Sequence, residues 1–445
     1  MIFKNTKHWC FLLLLTTIIV FCPTFFNDFQ NNWDDQWMLL NNPFVLDFTW
    51  DSINYHLISF YHGQYSPVNT ILYGVIYKLV GFNPGVYHGV CLLIHILNVF
   101  LTFLIVKACV SKVKPGFNNQ RLNVYASVVA LLFAIHPLQV ESVAWISASK
   151  VVLYGFFTLI CLWMYIRYMQ SGRWIWYVGV ILSYVLGFGS KEQAILLPVL
   201  LLAVDWLYGR LKSFPLTVRA ITNKVYLEKI PFFLLAAAMW YFSWQNNLGD
   251  LSIENSYPIH QRLLFAMHSL MQYIFRFVAP VKLYYFYFYP INIGESLPLE
   301  YWFYLVLVLM VILFVWENYR KRNFLVVFGT VFFVLNLLLV LHIIPMPRKM
   351  ITADRYMYLS VIGIALVLIW LLDNLHQRFI KYRWLTISLI SIFVLSISIQ
   401  SFLRTSEWKD STSVKRNIQE LIKQRQEKQE AIVNNPLNQM SNEKE

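Results

Sequence analysis

Residues 324–344 read FLVVFGTVFFVLNLLLVLHII, an unbroken run with no acid, no Lys and no Arg. A helix built from it is apolar on every face, and its length matches the ~20 residues needed to cross ~30 Å of hydrocarbon. Runs of the same kind recur to either side, from Phe11 to Val20 and from Val361 to Leu372. Across the 445 residues, 58% are hydrophobic and 13% charged, whereas soluble domains have about 45–50% and about 25%. A soluble globular enzyme is thereby excluded. The expectation is an all-α, polytopic integral membrane protein.

Eleven apolar runs are long enough to be read as spans: 10–26, 87–108, 122–137, 151–169, 174–189, 192–208, 230–246, 301–317, 324–344, 354–373 and 384–403. Segments 66–81 and 263–280 are ambiguous, which sets the range at 10–13 spans. With the amino terminus in the cytoplasm and both ambiguous segments lying along the interface, 19 Lys and Arg fall inside, against 9 outside before the tail. That asymmetry is the positive-inside pattern. If either ambiguous segment spanned alone, a basic loop would move outward. Trp9 to Phe26, preceded by Lys4 and Lys7, reads as an uncleaved first helix. The division is then a transmembrane unit, 1–403, whose first outer loop (27–86) carries interfacial helices, and a polar outer tail, 404–445, in which Val414, Ile418, Leu421 and Ile422 keep helical spacing. The formal charge of +13 sits in short loops between spans, so nucleic acid is not an expected partner. Cys10, Cys22, Cys91, Cys109 and Cys161 lie in or at the ends of apolar runs, without the paired spacing of a disulfide or zinc framework.

Ionisable residues on the outer side are the candidates for chemistry. Between Asn27 and Gln64 stand Asp28, Asp34, Asp35, Asp47 and Asp51, with no Lys or Arg. Neighbouring carboxylates raise one another's pKa, so one of Asp34 and Asp35 suits a general base. A merely solvated acidic loop has the same pattern. His136-Pro137 breaks a helix and turns Glu141 outward; a lone His-Pro at a helix end also has a purely structural reading. Lys191, and Arg348, Lys349 and Arg355 grouped with Asp354, are cations placed where cations are otherwise scarce. They suit an anionic phosphate, unless Asp354 simply pairs with Lys349 or Arg355, or Lys191 with Glu192. No nucleotide-binding glycine loop, H-E-x-x-H or G-x-S-x-G occurs. Any sugar donor must therefore be presented from the membrane.

These residues belong to an ordered set of motifs: Trp33-Asp34-Asp35 with Asn41-Asn42-Pro43; Gly81-Phe82-Asn83-Pro84 with Tyr87-His88; Leu93 to Asn98; His136 to Ile146; Ser190-Lys191-Glu192-Gln193-Ala194; and Ala353 to Leu359. The set resembles the GT-C membrane glycosyltransferases, and most closely the protein O-mannosyltransferase-like branch that carries tetratricopeptide repeats. The resemblance implies inverting transfer of a sugar, mannose by the family name, from a polyprenyl-phosphate carrier to an acceptor hydroxyl on a protein or glycan. Asp34 would be the base, with Asp35 orienting the acceptor, tuning the pKa or exchanging roles. Glu141 and His136 would bind acceptor or sugar. Lys191 and Arg355, with Arg348 and Lys349, would hold the carrier phosphate. No cofactor is implied, and a divalent ion on the Asp34-Asp35 pair stays open. The site would line an outer cavity continuous with a lipid-facing groove. A bacterial inner membrane with the carboxyl terminus in the periplasm fits this form.

Two features depart from the family. Ser66-Pro67-Val68 stands where Arg-Pro-Leu is common, and residues 404–445 show no repeat pattern. Two other functions compete with this one. A lipid-linked glycan polymerase or ligase shares the donor. A transporter or flippase uses intramembrane charges as a pathway, although no matching pair of broken helices marks two halves.

Overall fold

The computed structural model describes residues 6–211, 224–247, 257–344, 350–379, 381 and 383–433. Its long helices, in order, are α1 (Thr6–Phe21), α2 (Pro67–Val80), α3 (Pro84–Val113), α4 (Asn119–Ile135), α5 (Ser149–Ser171), α6 (Trp174–Ser190), α7 (Leu197–Leu207), α8 (Ile230–Asn247), α9 (Ile259–Val278), α10 (Tyr301–Arg320), α11 (Phe324–Leu337), α12 (Ser360–Arg378), α13 (Arg383–Glu407) and α14 (Ser411–Val433). The sheet among the described residues is a single antiparallel pair, β1 (Tyr287–Phe288) and β2 (Met350–Thr352). The protein is an all-α, polytopic membrane protein.

All eleven apolar runs are helical, but they differ in length. Seven helices among the described residues are long and apolar enough to cross a membrane, and an eighth span forms if α4 and Pro137–Ala144, bent by 53°, count as one. The three remaining runs are shorter. Trp174–Ser190 and Phe324–Val340 hold 17 residues or fewer, about 26 Å of helix, and α7 has 11 residues after a 3-10 turn at Glu192–Leu196. Polar residues cut these runs short: Ser190-Lys191 separates α6 from α7, and His342, at a positive φ of 58°, closes the α11 region. Neither α2 nor α9 qualifies as an apolar span. Each instead has one buried face and one exposed face, Tyr73 and Ile76 against Leu79 on α2, and Phe265 and Tyr273 against Leu263 on α9.

Local chemistry explains where helices begin and end. Asn118 caps α4 by accepting the Arg121 N–H at 2.9 Å. At its other end, His136 precedes a proline and is held extended (φ −67°, ψ 138°). The freed Ile135 carbonyl accepts the Ser401 hydroxyl of α13 at 2.6 Å, as an orphaned helix-end acceptor requires. Pro84 starts α3 at the first-turn position where its missing N–H is harmless. The α11–α12 crossing is the tightest in the core. A Cβ at Gly329 would fall 2.6 Å from the Gly363 carbonyl oxygen, so the two backbones touch where both residues lack side chains.

The expected polar tail is packed over its first part. α13 continues past residue 403 to Glu407, and Arg404, Thr405, Trp408 and Val414 are buried. Arg404 has a buried acid partner and Trp408 stacks on Trp145, so neither side chain is left in solvent. α1 starts beside Lys107 and Asn123, whereas Trp408 lies on Trp145 after the break in α4. The two ends of the transmembrane unit therefore emerge on opposite sides of the bundle.

Candidate active site

The first loop is sewn to the end of α13. Asn27 donates to the Thr405 carbonyl (3.1 Å), the Asp28 amide to Lys409 (2.7 Å) and Gln30 Nε2 to Trp408 (2.8 Å). Beneath it, Phe29, Leu39, Val45, Tyr73, Tyr87 and Ile146 form a small separate core. One extra residue per turn then appears at Gln36–Leu40, a π-helix closed by Asn41 N–H to Gln36 O at 2.8 Å; such bulges are frequent at functional sites.

The two neighbouring aspartates have different environments. Asp35 has no exposed surface. Its Oδ1 accepts the Ser147 amide at 2.9 Å and the Ser147 hydroxyl, and its Oδ2 accepts the Gln30 amide at 2.8 Å. Burial raises its carboxyl from 3.8 to about 6; the three hydrogen bonds oppose that rise and the charge of Asp34 adds to it. Asp34 is half-buried and, among the described residues, receives the Trp37 indole N–H at 3.2 Å as its side-chain hydrogen bond. An acceptor hydroxyl can reach Asp34; Asp35 holds the loop in place.

Arg355 lies within electrostatic reach of Asp34. It sits on a one-turn helix, Asp354–Met357, and donates its amide to Glu141 Oε2 at 2.8 Å and its guanidinium to Glu141 Oε1. Burial works against its charge, but Glu141, Tyr356 and, more weakly, Asp34 hold the guanidinium above its ordinary value. The guanidinium carbon stands 5.4 Å from the Trp145 ring and 5.3 Å from the Tyr356 ring. Lys191 Nζ is 5.7 Å from the same Tyr356 ring, so both cations approach that tyrosine. Trp145 also meets Trp33 (5.7 Å, edge-on) and Trp408 (5.6 Å, stacked). Its indole N–H is buried with no protein acceptor among the described residues, a state that buried donors rarely keep without a ligand or water.

Two deeper layers fix the Arg355 turn. Tyr358, three residues on, reaches into the core, where its hydroxyl meets His95 Nδ1 and Asn98 Nδ2, each at 2.8 Å. Gly155 makes room for that ring, since a Cβ there would fall 2.5 Å from it. Asp354, fully buried, pairs with Arg404 of α13 at 2.7 Å and accepts the Tyr287 hydroxyl at 2.9 Å. Arg276 of α9 covers the other face of that tyrosine at 3.8 Å. Among the described residues the cation that pairs with Asp354 is thus Arg404 and not Arg355.

The structure brings Asp34, Glu141, Arg355 and Lys191 into one constellation through Trp145 and Tyr356. His136 does not join it as a free group: Nδ1 accepts the Leu138 amide (3.2 Å), Nε2 meets the Phe277 carbonyl (2.9 Å), and the ring stacks on Phe277. Arg348 and Lys349 lie outside the described residues. Among the described residues no three His, Cys, Asp or Glu side chains are grouped to hold a metal ion. Sequence reasoning missed Trp145, Tyr358 and Arg404 as parts of the site. Arg404 had one legible signal: a buried Asp354 requires a cation, and Arg404 ends the last apolar run.

No family profile and no solved structure matches the chain. The chain is similar to the human protein O-mannosyl-transferase TMTC1, at 31% identity over 151 residues, 31% of this chain and 16% of that protein. It is similar to human protein O-mannosyl-transferase TMTC2 at 28% over 195 residues, 42% of this chain and 21% of that one. A Caenorhabditis elegans protein O-mannosyl-transferase is 26% identical over 210 residues, 45% of this chain and 28% of the relative. The matched stretches span less than a third of each relative's length.

Proposed function

We propose that this chain is a membrane glycosyltransferase that moves a sugar from a polyprenyl-phosphate carrier to an acceptor hydroxyl, with inversion at the anomeric carbon. The observation that carries the reading is the accessible carboxylate of Asp34 within electrostatic reach of a cation, Arg355, that is locked in position by its ion pair with Glu141. The similarity to protein O-mannosyl-transferases supports mannose as the sugar and a protein as the acceptor.

Asp34 takes the proton of the acceptor hydroxyl as its oxygen attacks the anomeric carbon. The bond from that carbon to the phosphate oxygen breaks, and the electron pair leaves on the carrier phosphate. The donor is a phosphodiester and the polyprenyl phosphate monoester it releases is a good leaving group, so one base and charge stabilisation suffice. Arg355 and Lys191 receive the developing phosphate charge, and the Trp145 N–H is a third donor beside them. Glu141 acts through Arg355, Asp35 through the loop that bears Asp34, and His136 through the broken end of α4. Lys107 and Arg121, expected on the cytoplasmic side, stand at the ends of α3 and α4 opposite to Tyr87 and the Pro137 break, which supports an outer or lumenal site and, for a bacterial chain, a periplasmic one.

The test is transfer by purified protein in nanodiscs, offered polyprenyl-phosphate mannose and a panel of other polyprenyl-phosphate sugars with peptide and glycan acceptors. Wild type transfers sugar, and Asp34→Asn loses about 10²–10⁴-fold in rate with unchanged helicity and melting. Asp34→Asn turnover within a few-fold of wild type would overturn the assignment of the base. Carrier-lipid movement across the bilayer without any transfer would favour the flippase.

A further inference from the structure

At the end of the bundle away from Asp34, α4, α12 and α13 enclose an open groove of about 390 Å³, space for about a dozen water-sized groups. Part of its wall is apolar, with Ile369 and Leu372 of α12 and Ile387 and Ile390 of α13. The rest is polar, with Asn118, Gln120, Arg121 and Tyr125 at the start of α4 and Asp373 and His376 of α12. Arg121 is held rigidly. Its Nη2 alone contacts both oxygens of Asp373, at 2.8 and 2.9 Å, and its guanidinium lies 4.0 Å over the Phe117 ring. Asp373 is itself filled by the Tyr125 hydroxyl and by Gln377 at 2.9 Å. A guanidinium carries five N–H donors, so one fixed by Nη2 keeps donors for another oxygen acceptor. Its side chain is 40% exposed, hence within reach of one.

We infer that this groove binds a membrane phospholipid, its phosphodiester on Arg121 beside His376 and one acyl chain along the isoleucines of α12 and α13. Three features select that occupant over a soluble anion. The apolar wall belongs to two membrane-spanning helices. Ile387 is 46% exposed, so the groove opens toward the hydrocarbon. The cation sits at the helix end, at the depth of lipid headgroups, where Arg and phosphate meet. The site is remote from Asp34 and does not depend on the proposed transferase activity.

The full chain, stripped of lipid in detergent, is titrated with dioleoyl phosphatidylglycerol, with dioleoylglycerol and with inorganic phosphate, and read by native mass spectrometry and thermal shift. The phospholipid is expected to bind one to one and raise the melting temperature. The other two, each lacking half of the ligand, bind at least ten-fold more weakly. Ile390→Trp fills the groove without touching the ion pair and is expected to weaken phospholipid binding at least ten-fold; Ile387→Trp is the second variant, used where the first does not fold. Arg121→Lys keeps a cation for Asp373 but loses the fork, and binds several-fold more weakly. Equal affinity for dioleoylglycerol, or for the tryptophan variant, would overturn the proposal and reduce the groove to a surface wetted by bulk lipid.

Discussion

Both ends of the bundle hold a buried charge network, and one of these networks is closed on itself while the other is open. About 24 Å along α5 from Ser149, by helix rise, Tyr165 meets a network of two acids and two bases. Asp205 pairs with Arg210 and Lys229, each at 2.7 Å, and Arg210 pairs with Glu228 at 2.7 Å. The Tyr165 hydroxyl donates to Asp205, and Tyr168 to Glu228. Lys229 and Asp205 have essentially no exposure. Every charge there is answered within the protein. At the other end, Arg355 and Glu141, and Arg404 and Asp354, are also paired, yet Asp34 is half-exposed and the Trp145 N–H lacks an acceptor among the described residues. Balanced and satisfied, a buried network fixes how helices meet; with unsatisfied groups at its edge, it can receive a ligand.

Perturbing each end in turn tests that contrast. Arg355→Lys keeps the charge and loses the bidentate fork, and transfer is expected to fall by about 10²–10³-fold while thermal melting barely moves; a matching loss of stability instead would make Arg355 structural. Lys229→Met at the closed end leaves Asp205 with one cation fewer, and unfolding should become easier by about 3–5 kcal/mol. Turnover of the molecules that remain folded should be unchanged, and a drop would show that the ends are coupled. Tyr358→Phe removes the hydroxyl shared by His95 and Asn98, at a cost of about 1–3 kcal/mol, and should lower transfer modestly by loosening the Arg355 turn.

The pH dependence of the first loop separates Asp35 from Asp34. Because the Asp35 carboxyl is raised from 3.8 to about 6, the folded protein keeps a proton that the unfolded chain releases near pH 4. Its stabilising contribution is full below about pH 4 and is lost as pH rises through 6, a span of about two units and hence about 3 kcal/mol at most. Amide exchange over residues 30–40, corrected for intrinsic rates, should therefore speed up between pH 4 and 7. In Asp35→Asn that dependence should flatten; an unchanged profile would mean that another group controls the loop.

The fold class was readable from residues such as Phe324–Ile344, because hydrocarbon thickness and the cost of bare peptide groups leave few choices for a long apolar run. Span lengths were less so: Ser190-Lys191 and His342 end helices early, and the cost of a polar residue inside a run depends on the neighbour it finds. Part of the site was visible as well. Asp34, Glu141, Lys191 and Arg355 stood out because charges at membrane depth need a reason. His136 stood out equally, yet both its nitrogens serve the backbone, a commitment invisible without the Phe277 carbonyl in place.

By itself, then, the sequence determined a helical membrane protein with its ionisable residues gathered in a few short loops, since hydropathy and charge act locally along the chain. Only the tertiary structure decided which aspartate is open and which is locked. It also joined His95 and Asn98 to Tyr358, more than 250 residues away, and assigned Arg404 to Asp354. Those are pairings across the fold: a buried donor or charge is stabilised by whichever partner the packed helices bring within about 3 Å, and separation along the chain says nothing about that.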